Sequence, residues 1–154
     1  KMQAYAVQTL MGLIGSVGFA ILFGVYDRRL IVIALGGGAG WIVYLSSLAC
    51  GQSVFIGLLA ASMFVAAVSE ILARLLKTPV ILLLVPMLIP EIPGGDLYYT
   101  MYYLVQGSYT EFGNSSNRML VEAGAIAMGI IAASHLEKFL QSLWNHVVHR
   151  AVRS

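Results

Sequence analysis

Long apolar runs separated by short polar stretches divide the chain into segments of membrane-spanning length. A helix needs about 20 mostly apolar residues to cross the hydrocarbon core of a bilayer. Four runs meet or approach that length, at 5–25, 30–50, 54–76 and 119–136, and a fifth, at 79–105, is apolar but interrupted. The pattern predicts an all-α integral membrane protein, a five-helix transmembrane bundle with a Pro/Gly-broken fourth helix.

The interrupted run is the segment most relevant to function. It carries Pro86, Pro90, Pro93, Gly94 and Gly95. A proline removes a backbone donor and clashes with the preceding helical turn. In lipid, broken backbone persists only where it is buried in protein or lines a cavity. Because transporters build substrate sites from such broken helices, the segment is the first candidate for a binding site.

Basic residues mark one side of the predicted bundle. They follow the first helix at 28–29, end the third at 74–77 and follow the fifth at 138–153. Five crossings place all three groups on one side, and an excess of Lys and Arg marks the cytoplasmic side. The pattern predicts an N-terminus outside, a C-terminus in the cytoplasm and an outer polar loop at 106–117.

The end of the chain has a different character from the spans. In residues 137–154, Phe139, Leu143 and Trp144 fall near one helical face, and basic residues occupy much of the remainder. This pattern is typical of a basic amphipathic helix at the membrane surface. We therefore divide the chain into a transmembrane domain, 1–136, and a cytoplasmic interfacial helix, with docking of a partner as the alternative role for that helix.

Composition agrees with this division and excludes several classes of protein. Hydrophobic residues make up 59% of the chain and charged residues 10%, with a mean hydropathy of +0.84, whereas soluble domains are roughly 25% charged. The net charge of +2 and the dispersed basic residues argue against nucleic-acid binding. The single Cys50 excludes an internal disulfide and a cysteine-based metal cluster. We expect no metal and no cofactor, and no cleavable signal peptide because the first run is long enough to span.

Small residues recur every four positions on four of the predicted helices. Such spacing lets helix backbones approach closely inside a membrane. We expect these stripes to pack within the bundle, with contact to another subunit as the alternative. They are Gly12, Ser16, Ala20 and Gly24; Gly36 and Gly40; Gly57 and Ala61; and Ala125, Gly129 and Ala133.

Three ionisable residues within the spans are candidates for proton coupling or gating. Charged groups at that depth are rare, and they are functional hypotheses by default. Glu70 precedes Arg74 by four residues on the third helix, a spacing that allows an ion pair on one helix. Glu122 shares the small-residue face of the fifth helix, where it either couples protons or stabilises the start of the helix.

The break itself supplies the candidate substrate-binding residues. Two carboxylates, freed backbone groups and a nearby phenol offer polar contacts to a small solute, and glycines let it meet the backbone. Asp96 is alternatively the N-cap of the helix that follows, and the tyrosines are alternatively an aromatic belt at the outer interface. The candidates are Pro90, Glu91, Pro93, Gly94, Gly95, Asp96 and Tyr98.

These motifs together resemble a known family. The matching stretches are GW at 40–41, SEILAR at 69–74, KTP at 77–79, IPEIPG at 89–94 and GAIAMG at 124–129, with Tyr98 and Met101 beyond the break. They are similar to the small five-span subunit of the threonine/serine exporter family, which corresponds to the C-terminal half of the single-chain exporters. Glu91 departs from the family pattern, which has an apolar or small residue there.

The resemblance implies a secondary exporter of small amino acids, or of a dicarboxylate such as succinate, driven by the proton motive force. It implies a bacterial inner-membrane protein that works with a larger second subunit, and a homo-oligomer remains an alternative. The family supplies no residue-level assignment to carry over. The candidate residues therefore rest on the sequence pattern alone.

Other functions compete with export. The chain is alternatively an assembly or binding subunit without a pathway of its own, or a channel. Gly94-Gly95-Asp96 faintly resembles an aspartyl protease loop, but the only other aspartate, Asp27, is predicted on the opposite side of the membrane. No catalytic residue is therefore predicted, and the protein is not expected to be an enzyme.

Overall fold

The computed structural model describes the backbone of residues 2–151 and the side chains of residues 6–139. This part of the chain is helical and contains no strand. Its helices are α1 (Met2–Leu22), α2 (Arg29–Ala49), α3 (Val54–Leu75), α4 (Ile81–Leu88), α5 (Gly94–Gln106) and α6 (Tyr109–Ala151), with a 3₁₀ turn at Ile89–Glu91 between α4 and α5. The all-α class predicted from the sequence is confirmed.

Three helices are long and apolar enough to cross a membrane. They are α2, α3 and the Tyr109–Phe139 part of α6. Ile81–Glu91 and α5 together are also long and apolar enough to cross. The two helices are bent by 64° relative to each other, as in a broken span or a re-entrant loop. The apolar segment Ala6–Leu22 of α1 is shorter than these helices. Within the described residues the helices thus give three or four candidate spans, and a count of five stays a prediction.

The helices pack in the order α1, α2, α3, α6 and α5, and α4 lies against the first three. The buried core runs through α2, α3 and α4, where Ile33, Val65, Leu83 and Met87 are fully enclosed. Helix α4, which leads into the break, is thus inserted between three neighbouring helices. This arrangement places α4 inside the bundle rather than on its surface.

The small-residue stripes pack within the bundle, as predicted. In all four helices the members are buried, except Gly24, which follows the end of α1 at a φ of 78°. In α2, a Cβ added to Gly36 would meet Met87 of α4, and one added to Gly37 would meet Ser16 of α1. Glycine is therefore required at the points where α1 and α4 press against α2.

The predicted outer loop is shorter than the sequence indicates. Only the first residues of 106–117 form a turn, which Gly107 makes possible with a φ of 72°, and α6 begins at Tyr109. Ser115 is buried in the polar first part of α6, which packs against α5. Tertiary packing here outweighs the weak helix propensity of Gly, Ser and Asn.

Helix α6 is also continuous beyond the predicted fifth span. It runs through Ala151 without a break, so the segment predicted as a separate interfacial helix extends the same helix as far as that residue. Apart from Phe139, which is exposed, the side chains of its apolar face lie outside the described residues. The division into two parts at 136 and 137 stays a prediction.

Candidate functional site

The chain changes direction at a short proline-flanked segment between α4 and α5. The 3₁₀ turn Ile89–Glu91 contains Pro90, and Ile92 is extended with a ψ of 129°. Pro93 precedes the first residue of α5. Because neither proline has an amide hydrogen, the helical hydrogen-bond pattern cannot continue across the segment. The result is the 64° bend between the two halves.

This bend lies at the centre of the bundle. Gly12, Gly40 and Val65 occupy the middle of α1, α2 and α3. A Cβ on Gly12 would lie 3.3 Å from Cβ of Pro90, and a Cβ on Gly40 would meet both Val65 and Oε1 of Glu91, the latter at 2.7 Å. The 11 residues from Ile81 to Glu91 rise about 16 Å, roughly half the hydrocarbon thickness. The break therefore lies at mid-depth if α4 follows the membrane normal.

Glu91 is enclosed at this central position. The residue is 2% exposed, and neither carboxyl oxygen has a hydrogen-bond partner within the described part of the chain. Trp41 Nε1 on α2 and Ser16 Oγ on α1 are likewise buried without a hydrogen-bond partner. Buried polar groups are normally paired because leaving them unpaired costs free energy. Unpaired polar groups thus occur on three elements that pack together at the break.

A groove opens beside the break between α1 and α2. It has a volume of about 400 Å³. Its wall is mostly apolar, with the amide of Gln8 and the indole of Trp41 as polar elements. The lining residues are Val7, Gln8, Met11, Gly12, Gly15, Trp41, Ile89 and Pro90. A small solute in this groove would contact the proline of the break.

The second half of the predicted substrate site is exposed at the surface of the bundle. Gly94 and Gly95 are exposed, and a Cβ on either residue would meet no atom within 4 Å. Tyr98 is 64% exposed and stacks on Tyr102 at 6.3 Å between ring centroids. The structure therefore divides the predicted substrate residues. Pro90 and Glu91 lie within the bundle, whereas Gly94, Gly95 and Tyr98 lie on its open side.

Asp96 belongs to a charged cluster between α5 and α6. Its Oδ1 lies 3.5 Å from Nη2 of Arg118, and Glu122 is close enough for both charges to act on it. Asp96 is not the N-cap of α5, because Pro93 occupies that position and Asp96 lies within the first turn. An acid there still interacts favourably with the helix dipole. The cluster joins two candidate residues that the sequence treats separately.

Glu70 and Arg74 do not pair with each other as the sequence suggests. Arg74 forms an ion pair with Glu137, and Glu70 accepts a hydrogen bond from Ser134 Oγ at 2.9 Å. Both partners lie on α6, so the two side chains link α3 to α6 rather than successive turns of α3. Spacing along one helix could not reveal this, since the partners are more than 60 residues away in the sequence.

Comparison with known families decides the class of protein. Residues 8–136 match the sequence model of the family described as "Threonine/Serine exporter, ThrE". The matched range contains the whole break, the charged cluster and nearly all of the groove. The chain belongs to the threonine/serine exporter family. No curated protein and no solved structure matches it.

Membership confirms the resemblance seen in the sequence motifs. This exporter family is one of transport proteins rather than classical enzymes, and the apolar helices agree with a membrane location. Gln8, Gly12 and Trp41, which line the groove, were not among the binding residues predicted from the sequence. The available signals were the glycine stripe on the first helix and the Gly40-Trp41 pair of the family motif.

Proposed function

We propose that the chain is a membrane subunit of a secondary exporter of threonine, serine or a related small organic acid. The observation that carries the proposal is the broken span at the centre of the bundle, in a chain of the exporter family. Backbone groups freed by a break of this kind bind substrates in transporters. The groove beside Pro90 has room for a small solute next to them.

A second, larger subunit completes the transporter in this proposal. The described residues contain one bent helix pair of this kind, whereas transporters commonly build a midplane site from two related elements. Helix α5 packs on α6 and leaves Gly94, Gly95 and Tyr98 open on its other side. A partner that covers this side would enclose the outer half of the site. A homo-oligomer would meet the same need with a second copy.

The proposed exporter is driven by the proton motive force and lies in the bacterial inner membrane. The distribution of basic residues supports an N-terminus outside and a C-terminus in the cytoplasm. In that orientation α4 enters from the cytoplasmic side, and α5 with its charged cluster lies toward the outside. Solute would pass the break between these two halves.

Reconstitution in vesicles tests the proposal. The chain is purified alone and with the larger family subunit, the particle mass is measured, and export of labelled threonine, serine and succinate is followed. We expect export only from the two-subunit particle. Export by the chain alone would replace the second subunit with a homo-oligomer. A stable two-subunit particle that moves none of the three solutes would contradict the proposed function and favour an assembly role.

A further inference from the structure

The most unusual group in the described structure is the carboxyl group of Glu91. It is enclosed by α1, α2 and α3 at the middle of the bundle, with both oxygens unpaired. We infer that Glu91 is the site at which the coupling proton binds during transport. This inference rests on the proposed function, and it assigns to one named residue the proton coupling that the sequence placed at Glu70, Arg74 or Glu122.

The limited space around Glu91 determines which cation can neutralise its carboxylate. An ionised carboxylate buried without a cation or hydrogen-bond donors is costly. A partner side chain cannot reach a residue that is 2% exposed, and neither can the ammonium group of an amino acid without an opening. On the side of Oε1, the bare backbone of Gly40 and the side chain of Val65 fill the space. A proton is the cation that needs no additional volume.

Among the side chains that the structure describes, no charged group on the surrounding helices already balances Glu91. The described part of α1, 6–22, and helix α4 contain no ionisable residue. Helix α2 contributes Arg29 at its cytoplasmic end and Tyr44 one turn beyond Gly40, and α3 contributes Glu70 and Arg74 more than one turn away from Val65. Arg29, Glu70 and Arg74 are engaged with other side chains. The charge on Glu91 is therefore set by proton binding and by water that reaches the break.

The groove next to Pro90 is the side from which water would reach Glu91 once the break opens. Pro90 lines the groove and directly precedes Glu91, and Gly12 and Trp41 form the adjoining wall. In the binding step, a hydronium ion gives its proton to one carboxylate oxygen of Glu91, leaving water and a neutral carboxyl group. In the release step, water takes the proton back on the other side of the membrane. The neutral form fits the closed packing around Gly40, and the ionised form requires an opened and hydrated break.

Transport with and without a pH gradient tests this assignment in the complete reconstituted exporter. Equilibrium exchange of labelled threonine needs no net proton movement, whereas gradient-driven accumulation does. We expect Glu91→Gln to keep exchange within about twofold of wild type while gradient-driven accumulation falls by about tenfold or more. Glu91→Asp, which keeps a carboxyl group, should retain part of the accumulation. Glu111→Gln, an exposed acid on α6, is the matched control and should behave as wild type.

A second measurement is independent of transport. Infrared difference spectra between acidic and alkaline buffer should show the carbonyl band of a protonated carboxylic acid, which Glu91→Gln removes and Glu91→Asp shifts. An unchanged band in both variants would overturn the assignment, and so would normal gradient-driven accumulation by Glu91→Gln. Loss of exchange together with accumulation in an inserted Glu91→Gln would assign the residue to solute binding instead. A wild-type particle with the band but no transport would refute the proposed function, and only the protonation of Glu91 would then stand.

Discussion

Helices α4 and α5 are the two halves of one broken segment, and they differ greatly in how far they are buried in the bundle. In α4 and the 3₁₀ turn, Leu83, Pro86, Met87, Leu88 and Glu91 are buried against α1, α2 and α3. Helix α5 is longer, yet Thr100 is its one buried residue, and it packs mainly on α6. The inner half is thus fixed in the core, whereas the outer half is attached along one side.

This difference indicates which half of the segment can move at lower cost. Moving α4 would break tight contacts with three helices at once, and close-packed cores resist such changes. Moving α5 would disturb one interface and the exposed tyrosines. The bend therefore separates a half that three helices hold in place from a half that one helix holds. A glycine-to-leucine change should therefore lower stability where it faces the buried turn, and lower transport without loss of stability where it lies on α5.

The largest effect is expected from Gly40→Leu, on the fixed side. A Cβ there meets Val65 and Glu91 Oε1, and overpacking of a well-packed core typically costs about 1–3 kcal/mol. We expect a lower midpoint of thermal unfolding for the purified protein in detergent. Gly18→Leu is the control, because Gly18 is exposed on α1 and its Cβ would meet no atom within 4 Å. Equal unfolding midpoints for the two variants would contradict the tight packing around the turn.

Gly94→Leu makes the same change on the open side. It finds empty space and a backbone that a leucine can adopt, so the unfolding midpoint should match that of Gly18→Leu. Transport should fall by about 10²-fold, because the side chain blocks the approach of solute to the freed backbone. Labelled threonine export from vesicles measures this. Normal export by a correctly inserted variant would remove Gly94 from the solute pathway.

A smaller effect is expected from Asp96→Asn, which breaks the contact that ties the start of α5 to α6. Arg118 is 65% exposed, and exposed ion pairs contribute about 0–1 kcal/mol. We expect a slight loss of stability at low salt that disappears at high salt, since screening weakens such pairs. Arg118→Gln should behave in the same way. A loss that persists at high salt would show that Asp96 acts through something other than this pair.

The smallest effect is expected from Glu122→Gln. If the coupling proton binds at Glu91 in the fixed half, removal of the acid on α6 should leave the pH dependence of transport unchanged. Export rates measured across a series of pH values with a constant gradient test this. A flattened profile for Glu122→Gln with a normal profile for Glu91→Gln would move the coupling site to the charged cluster.

Local pattern was sufficient to predict several features of the structure. Hydropathy predicts the all-helical class, and the small-residue stripes predict close packing that the buried Gly12, Gly36 and Gly129 confirm. Pro90 and Pro93 predict the break, because the loss of a backbone donor depends on the residue alone. Each of these features follows from a property that a short window of sequence contains.

Features that depend on distant partners were not predictable in this way. The sequence suggests that Glu70 pairs with Arg74 within one helix, but residues of α6 compete successfully for both. The sequence predicts a loop at the polar start of α6, because the packing of this part against α5 cannot be inferred from local sequence. The sequence predicts Glu91 only as one of several solute-binding candidates, because its enclosure depends on α2 and α3 packing around it.

The position of Trp41 gives the protein an optical reporter of its own centre. The chain has two tryptophans, so Trp144→Phe leaves Trp41 as the single indole emitter. Its ring lies 4.9 Å from that of Tyr44, lines the groove and carries an N–H that has no hydrogen-bond partner among the described residues. Indole emission shifts to longer wavelength when water reaches the ring. The colour of this one residue's fluorescence would therefore follow wetting and drying of the break during a transport cycle, without an added label.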